Sequence, residues 1–105
     1  MKNKVTQKQI DNIIKHSRID VKTVFNKVTL VTCKLPNGFV LVESSGAVDK
    51  KNYDEDMGKE ICMDHIESKI WELEGYYLAK LIYQKKQSNS GSLYGMMSAT
   101  QGVYK

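Results

Sequence analysis

Arginine is nearly missing from this chain. Arg18 stands alone beside fifteen lysines, whereas a reader of duplex DNA is expected to carry several arginines on a recognisable reading helix. Cysteine is scarce too: Cys33 and Cys62 are the only two and have no Cys-x-x-Cys spacing, which excludes a disulfide scaffold and a zinc ribbon. The seven glycines never fall in the spacing of a phosphate-cradling loop, so the P-loop and dinucleotide-binding classes are excluded. No apolar run approaches the roughly 20 residues that cross a membrane. With no signal-peptide pattern at the N-terminus, the expectation is a soluble protein of the host-cell cytoplasm with reduced thiols.

What is present is ordinary globular material, 41% hydrophobic and 27% charged over 105 residues, enough for one domain and one modest core. The net charge of +4 is unevenly spread. Residues 1–42 hold eight lysines and arginines against Asp11 and Asp20, and residues 43–74 hold ten acids against four lysines. A chain with one basic and one acidic part can associate with itself or meet a polyanion; solvated faces give the same pattern. Weak, nonspecific nucleic-acid binding by the basic half would vanish at physiological salt, and nucleic acid is not the expected partner.

Residues 52–86 dominate the chain. Asn52 is placed to cap the first turn with Glu55 reaching back, acids cluster at this end, and Lys80, Lys85 and Lys86 suit the other. Between them Met57, Ile61, Ile66, Ile70, Leu73, Tyr77 and Leu81 recur at helical steps. Such a helix is roughly 45–50 Å long, more than the diameter of a domain this size. One end must project, bend or be covered by a second chain.

Upstream, Thr6-Gln7-Lys8-Gln9 reads as a capping box for a short helix over residues 7–16, with Ile10, Ile13 and Ile14 on one face. Residues 21–35 are rich in β-branched side chains, with a break at Asn26-Lys27. Leu35-Pro36-Asn37-Gly38-Phe39 predicts a type I turn with a glycine bulge, closing a hairpin with a strand at 39–43. Alternation gives that hairpin a dry face of Val31, Cys33 and Leu35, on which the long helix is expected to pack. Residues 44–51 read as a polar loop into the helix cap, and 87–105 as a flexible or docking tail. The fold class is α+β: a short N-terminal helix, an antiparallel hairpin or small sheet, and one long helix packed on it, in a single domain over 1–86.

Chemistry-bearing clusters are thin. Cys62 and His65 lie three apart on the helix, but the other soft ligands, Cys33 and His16, stand at unrelated places, so no metal site is expected. A Cys33–His65 pair has no nucleophile motif around it. Asp54, Glu55, Asp56, Glu60 and Asp64 cluster where capping and solvation account for them. No catalytic residue and no cofactor are assigned, and an enzyme is not expected. Gly75 inside the helix costs about 1 kcal/mol relative to alanine, which points to a close backbone contact or a kink there. Around it, Trp71 and Tyr77 stand about 240° apart on the helix and cannot share a face, so Trp71, Tyr76 and Tyr77 leave aromatic surface for a partner. A two-sided helix, under the sheet and a second subunit, accounts for the same pattern.

These residues also carry a resemblance. Val31-Thr32-Cys33-Lys34-Leu35, Asn37-Gly38-Phe39, Ser45, Val48-Asp49, Asn52-Tyr53-Asp54, Gly58 and Trp71-Glu72-Leu73-Glu74-Gly75-Tyr76 together resemble a small family of tailed-phage and prophage proteins, named after members from enterobacterial podophages. Glu43 stands where that family is expected to have glycine, and Lys50 where proline is usual. The resemblance implies a phage accessory protein rather than a virion part. Such proteins often act on host defences by binding. The expectation is a homo-oligomer whose nucleotide pocket lies at a subunit boundary, with Trp71, Tyr76 or Tyr77 stacking on a base and Arg18 or a nearby lysine meeting phosphate. The alternative is an inhibitor whose acidic face, residues 54–74, occupies a basic groove on a host defence protein.

Overall fold

The computed structural model describes residues 3–87. In order, the elements are α1 (Gln7–Lys15), β1 (Arg18–Val24), β2 (Val28–Lys34), β3 (Val40–Gly46), a single 3-10 turn (Lys50–Asn52) and α2 (Glu55–Gln87). The strands form an antiparallel meander in the order β1-β2-β3, and α2 packs on β2 and β3. This is the expected α+β arrangement, its hairpin widened to three strands. Beyond Gln87 the expected tail lies outside the described residues.

Turn chemistry sets the registers. Gly38, at φ +96, donates its N–H to Leu35 O at 2.8 Å, Leu35 N–H reaches Phe39 O at 2.7 Å, and Asn37 Oδ1 accepts from Phe39 N. That is the expected turn with its glycine bulge. The other hairpin loop is Phe25-Asn26-Lys27, with Phe25 and Asn26 at φ +54 and +57 and Lys27 N–H closing on Val24 O. Asparagine tolerates this left-handed region; phenylalanine pays a steric cost for it. Two boundaries differ from the sequence reading: β1 starts earlier, at Arg18, and β3 runs on to Gly46, so Ser44 and Ser45 belong to the strand rather than a loop.

Alternation along β2 buries Thr29, Val31 and Cys33, followed by Leu35, and Leu41 opposite Cys33 joins them. Gly58, Cys62, Ile66 and Ile70 of α2 are the buried positions above this face, one per turn, and Ile10 of α1 closes the core's flank. Each such aliphatic side chain contributes about 1.5–3 kcal/mol by leaving water. α1 is tied to α2 by Gln7 Nε2 to Glu67 Oε2 at 2.9 Å and Gln9 Nε2 to Glu74 Oε1 at 2.8 Å. The capping box is therefore half formed. Thr6 Oγ1 does accept from Gln9 N at 3.2 Å, but the Gln9 side chain turns to α2 instead of back to Thr6.

The cap of α2 is also displaced from the sequence reading. Asp49 caps the 3-10 turn that takes up Asn52, and Asp54 Oδ1 accepts from Asp56 N at 3.0 Å and Met57 N at 3.3 Å. Asp54, not Asn52, starts the helix. A second correction concerns glycine. At Gly75 an added Cβ would meet nothing within 4 Å, whereas at Gly58 it would lie 2.1 Å from Thr29 Oγ1 and 2.7 Å from Thr29 Cβ. The close contact that a helical glycine signals belongs to Gly58, where α2 lies directly on β2.

Candidate functional site

At the Gly58 end, β1, β2 and the start of α2 share a chain of hydroxyls. Tyr53 Oη lies 2.7 Å from both Thr29 Oγ1 and Thr23 Oγ1, and Thr23 Oγ1 donates to Glu55 Oε2 at 2.6 Å. A carboxylate accepts only, so the direction is fixed: Thr29 donates to Tyr53, Tyr53 to Thr23, and Thr23 to Glu55. This satisfies the buried Thr29 hydroxyl. Beside it a hollow of about 310 Å³ is lined by Ser45–Val48, Asn52–Asp54, Met57, Gly58 and Ile61.

At mid-helix, Glu43 of β3 meets Lys69 Nζ and lies 3.4 Å from His65 Nδ1, its side chain only 13% exposed. The Lys69 hydrogen bond, helped by the charges of Lys69 and His65 and opposed by burial, holds the Glu43 carboxyl below the usual glutamate range. Glu43 thus stands inside a strand and under the helix, where a glycine was expected. Both thiols are fully buried and pushed up by burial, Cys62 further by the Glu43 charge, while a Ser17 hydrogen bond partly offsets the rise at Cys33. These are inert, protonated thiols. Among the described residues no three His, Cys, Asp or Glu side chains converge to hold a metal, and no helix is long and apolar enough to cross a membrane.

At the opposite end, the Pro36-Asn37-Gly38 turn overhangs α2. Leu35, Asn37 and Phe39 on one side and Leu73, Glu74 and Tyr77 on the other line a cleft of about 460 Å³. An adjoining hollow of about 230 Å³ shares Leu35, Asn37 and Glu74 and extends to Ile13 and Pro36. Two ring-bearing walls, an amide and a carboxylate converge here. Asn37 Oδ1 and Glu74 Oε1 each accept a hydrogen bond from within the fold, which orients both groups. The Asn37 amide nitrogen remains a donor.

The four residues singled out from sequence take different places. Tyr77 lines the cleft and is 56% exposed; Tyr76 beside it is 70% exposed. Trp71 packs, half-buried, against the edge of the core. Arg18 opens β1 at the cleft end of the sheet, paired with Lys34, but alternates with Ile19 and Val21 and so projects from the face opposite α2. Within one chain the sheet separates Arg18 from the aromatic residues. Sequence reasoning missed Asn37, Phe39, Leu73 and Glu74 as cleft residues. A signal was available: the Asn37-Gly38-Phe39 and Trp71-to-Tyr76 stretches that carry the family resemblance face one another here.

The model of the phage protein (N4 Gp49/phage Sf6 gene 66) family matches residues 5–82. The chain belongs to this family. The matched residues run from the one before the Thr6 cap to Ile82 of α2 and include those that line the cleft. No curated protein and no solved structure matches the chain.

Proposed function

We propose that this phage-family protein acts by binding rather than catalysis, and counters a host antiviral defence by sequestering a small nucleotide signal in the Phe39–Tyr77 cleft. The observation that carries this reading is the make-up of the cleft: aromatic Phe39 and Tyr77 and apolar Leu35 and Leu73 around one oriented amide, Asn37. A base stacked on such rings gains about 1–3 kcal/mol, and an amide pairs with base edges in two places at once. Among the described residues no lysine or arginine lines the cleft. A phosphate therefore needs a cation from elsewhere, and a second copy in a homo-oligomer supplies it: Arg18 is exposed on the outer sheet face, where another chain's cleft can reach it.

The test is native mass spectrometry of the purified protein with a panel of cyclic and ADP-ribose-derived nucleotides. The expected result is a multimer that gains discrete nucleotide masses, with the gain weakened at least tenfold in Arg18→Ala. A multimer with no added mass across the panel overturns the reading.

One observation favours a second reading. Asp56, Glu60 and Asp64 stand exposed within roughly 80° of one another around α2, turned away from the buried positions Cys62 and Ile66. Such a ridge suits an inhibitor that fills a basic groove on a host defence protein. Binding to a host protein that weakens steeply with salt, from a chain with no nucleotide affinity, selects it.

A further inference from the structure

The two edges of the sheet are built differently. β1 carries Arg18, Asp20 and Lys22 on its outer side, and charges of this kind keep an edge strand from adding another strand. β3 carries no charge on that side, and its register with β2 runs unbroken from Val40 to Gly46, without proline or bulge. Its outer residues are Val40 and Val42, half exposed, and Ser44. Its one charge, Glu43, turns inward to Lys69 and His65.

The hydrogen-bond pattern tells which backbone groups face out. Leu35 bonds Phe39 and Ala47 bonds Lys27, so in the β2–β3 ladder the odd-numbered residues of β3 point to β2. Val40, Val42 and Ser44 therefore aim N–H and C=O away from the sheet, and no described residue of the chain pairs with them. Beside this edge Met57 and Ile61 of α2 stand 58% and 38% exposed.

We infer that β3 is an assembly edge that pairs antiparallel with β3 of a second copy, joining two three-stranded sheets into one of six strands. Centred on Val42, the pairing sets Val42 against Val42 and each Val40 against Ser44 of the other copy, and forms about six backbone hydrogen bonds. Charge decides the occupant. With Glu43 neutralised within its own chain, each Glu43 faces Leu41 of the other copy and no like charges meet, whereas a charged peptide gains nothing from a neutral edge. The contact is isologous and closes on itself. It does not depend on the nucleotide reading, because it is measured without ligand.

Two variants test it. The Val42 N–H points out of the sheet, so Val42→Pro leaves the β2 ladder intact, and Val42→Lys places a charge on the edge. In sedimentation equilibrium the wild-type chain is expected at an even copy number, with the particle mass halved or the dissociation constant raised at least 100-fold in either variant. In the wild-type particle the Val42 and Ser44 amides are expected to exchange at least 100-fold more slowly than solvent-exposed amides. A monomeric wild type, unchanged assembly in Val42→Lys, or rapid exchange of both amides in the multimer overturns the inference. Protection of those amides at monomer mass does so too, by assigning the edge to another segment of the same chain.

Discussion

Between Gly58 and Ile70, α2 buries one residue per turn; between Trp71 and Gln87 it buries none, although all four of its aromatic residues lie in that second half. The first half is held by packing on β2 and by the hydroxyl chain through Tyr53. The second carries Leu73, Tyr76 and Tyr77 at 38%, 70% and 56% exposure. A helix longer than its sheet thus separates two tasks. One half fixes the fold, and the other leaves Tyr76 and Tyr77 mostly exposed. The proposed function assigns this exposed apolar stretch to binding.

The contrast can be broken or sharpened by substitution. The largest effect is expected from Ile66→Ala, which opens a cavity under the anchored half and lowers stability by about 2–5 kcal/mol in denaturant unfolding. Loss below 1 kcal/mol would mean that the anchored half is not the core. Next come the two glycines. Gly58→Ala forces a methyl group into buried Thr29 and is expected to destabilise by about 1–3 kcal/mol, while Gly75→Ala, with open space around it, is expected to stabilise by about 0.5–1 kcal/mol. Equal signs for the pair in thermal melts would erase the difference between the halves. Tyr53→Phe cuts the hydroxyl chain and strands the buried Thr29 hydroxyl, at about 1–2 kcal/mol.

The smallest effect lies where the halves meet. With the Glu43 carboxyl held below its usual range by Lys69, the unfolded chain takes up its proton first as pH falls. The stability that Glu43 contributes is therefore complete above the ordinary glutamate range and is lost as pH falls through the depressed value. Melting of Glu43→Gln against wild type is expected to show a gap near neutrality that closes on acidification. A gap that widens would reverse the assignment.

How much of this was legible in sequence varies with the range of the interaction. The dry face of Val31, Cys33 and Leu35 was legible because strand alternation is local, and so was the Gly38 turn, whose chemistry sits within five residues. The helix cap was misplaced by two residues because Asn52 and Asp54 are both good caps, and only the 3-10 turn capped by Asp49 decides between them. Glycine need was assigned to Gly75 rather than Gly58 because the clash partner, Thr29, lies 29 positions away. That Arg18 leaves the sheet on the face opposite α2 was not legible, because a sequence does not show which face of a sheet a side chain leaves. The cleft spans Leu35 to Tyr77, so its residues could be recognised singly but not as a set.

The measurement that bears most directly on the division of α2 is Tyr77→Ala, examined at once for melting temperature and for nucleotide mass gain by native mass spectrometry. The account predicts a melting temperature within about 4 °C of wild type, the shift that about 1 kcal/mol gives in a domain of this size, together with loss of the bound nucleotide. A variant that binds as well as wild type, or one that melts far lower, would contradict it.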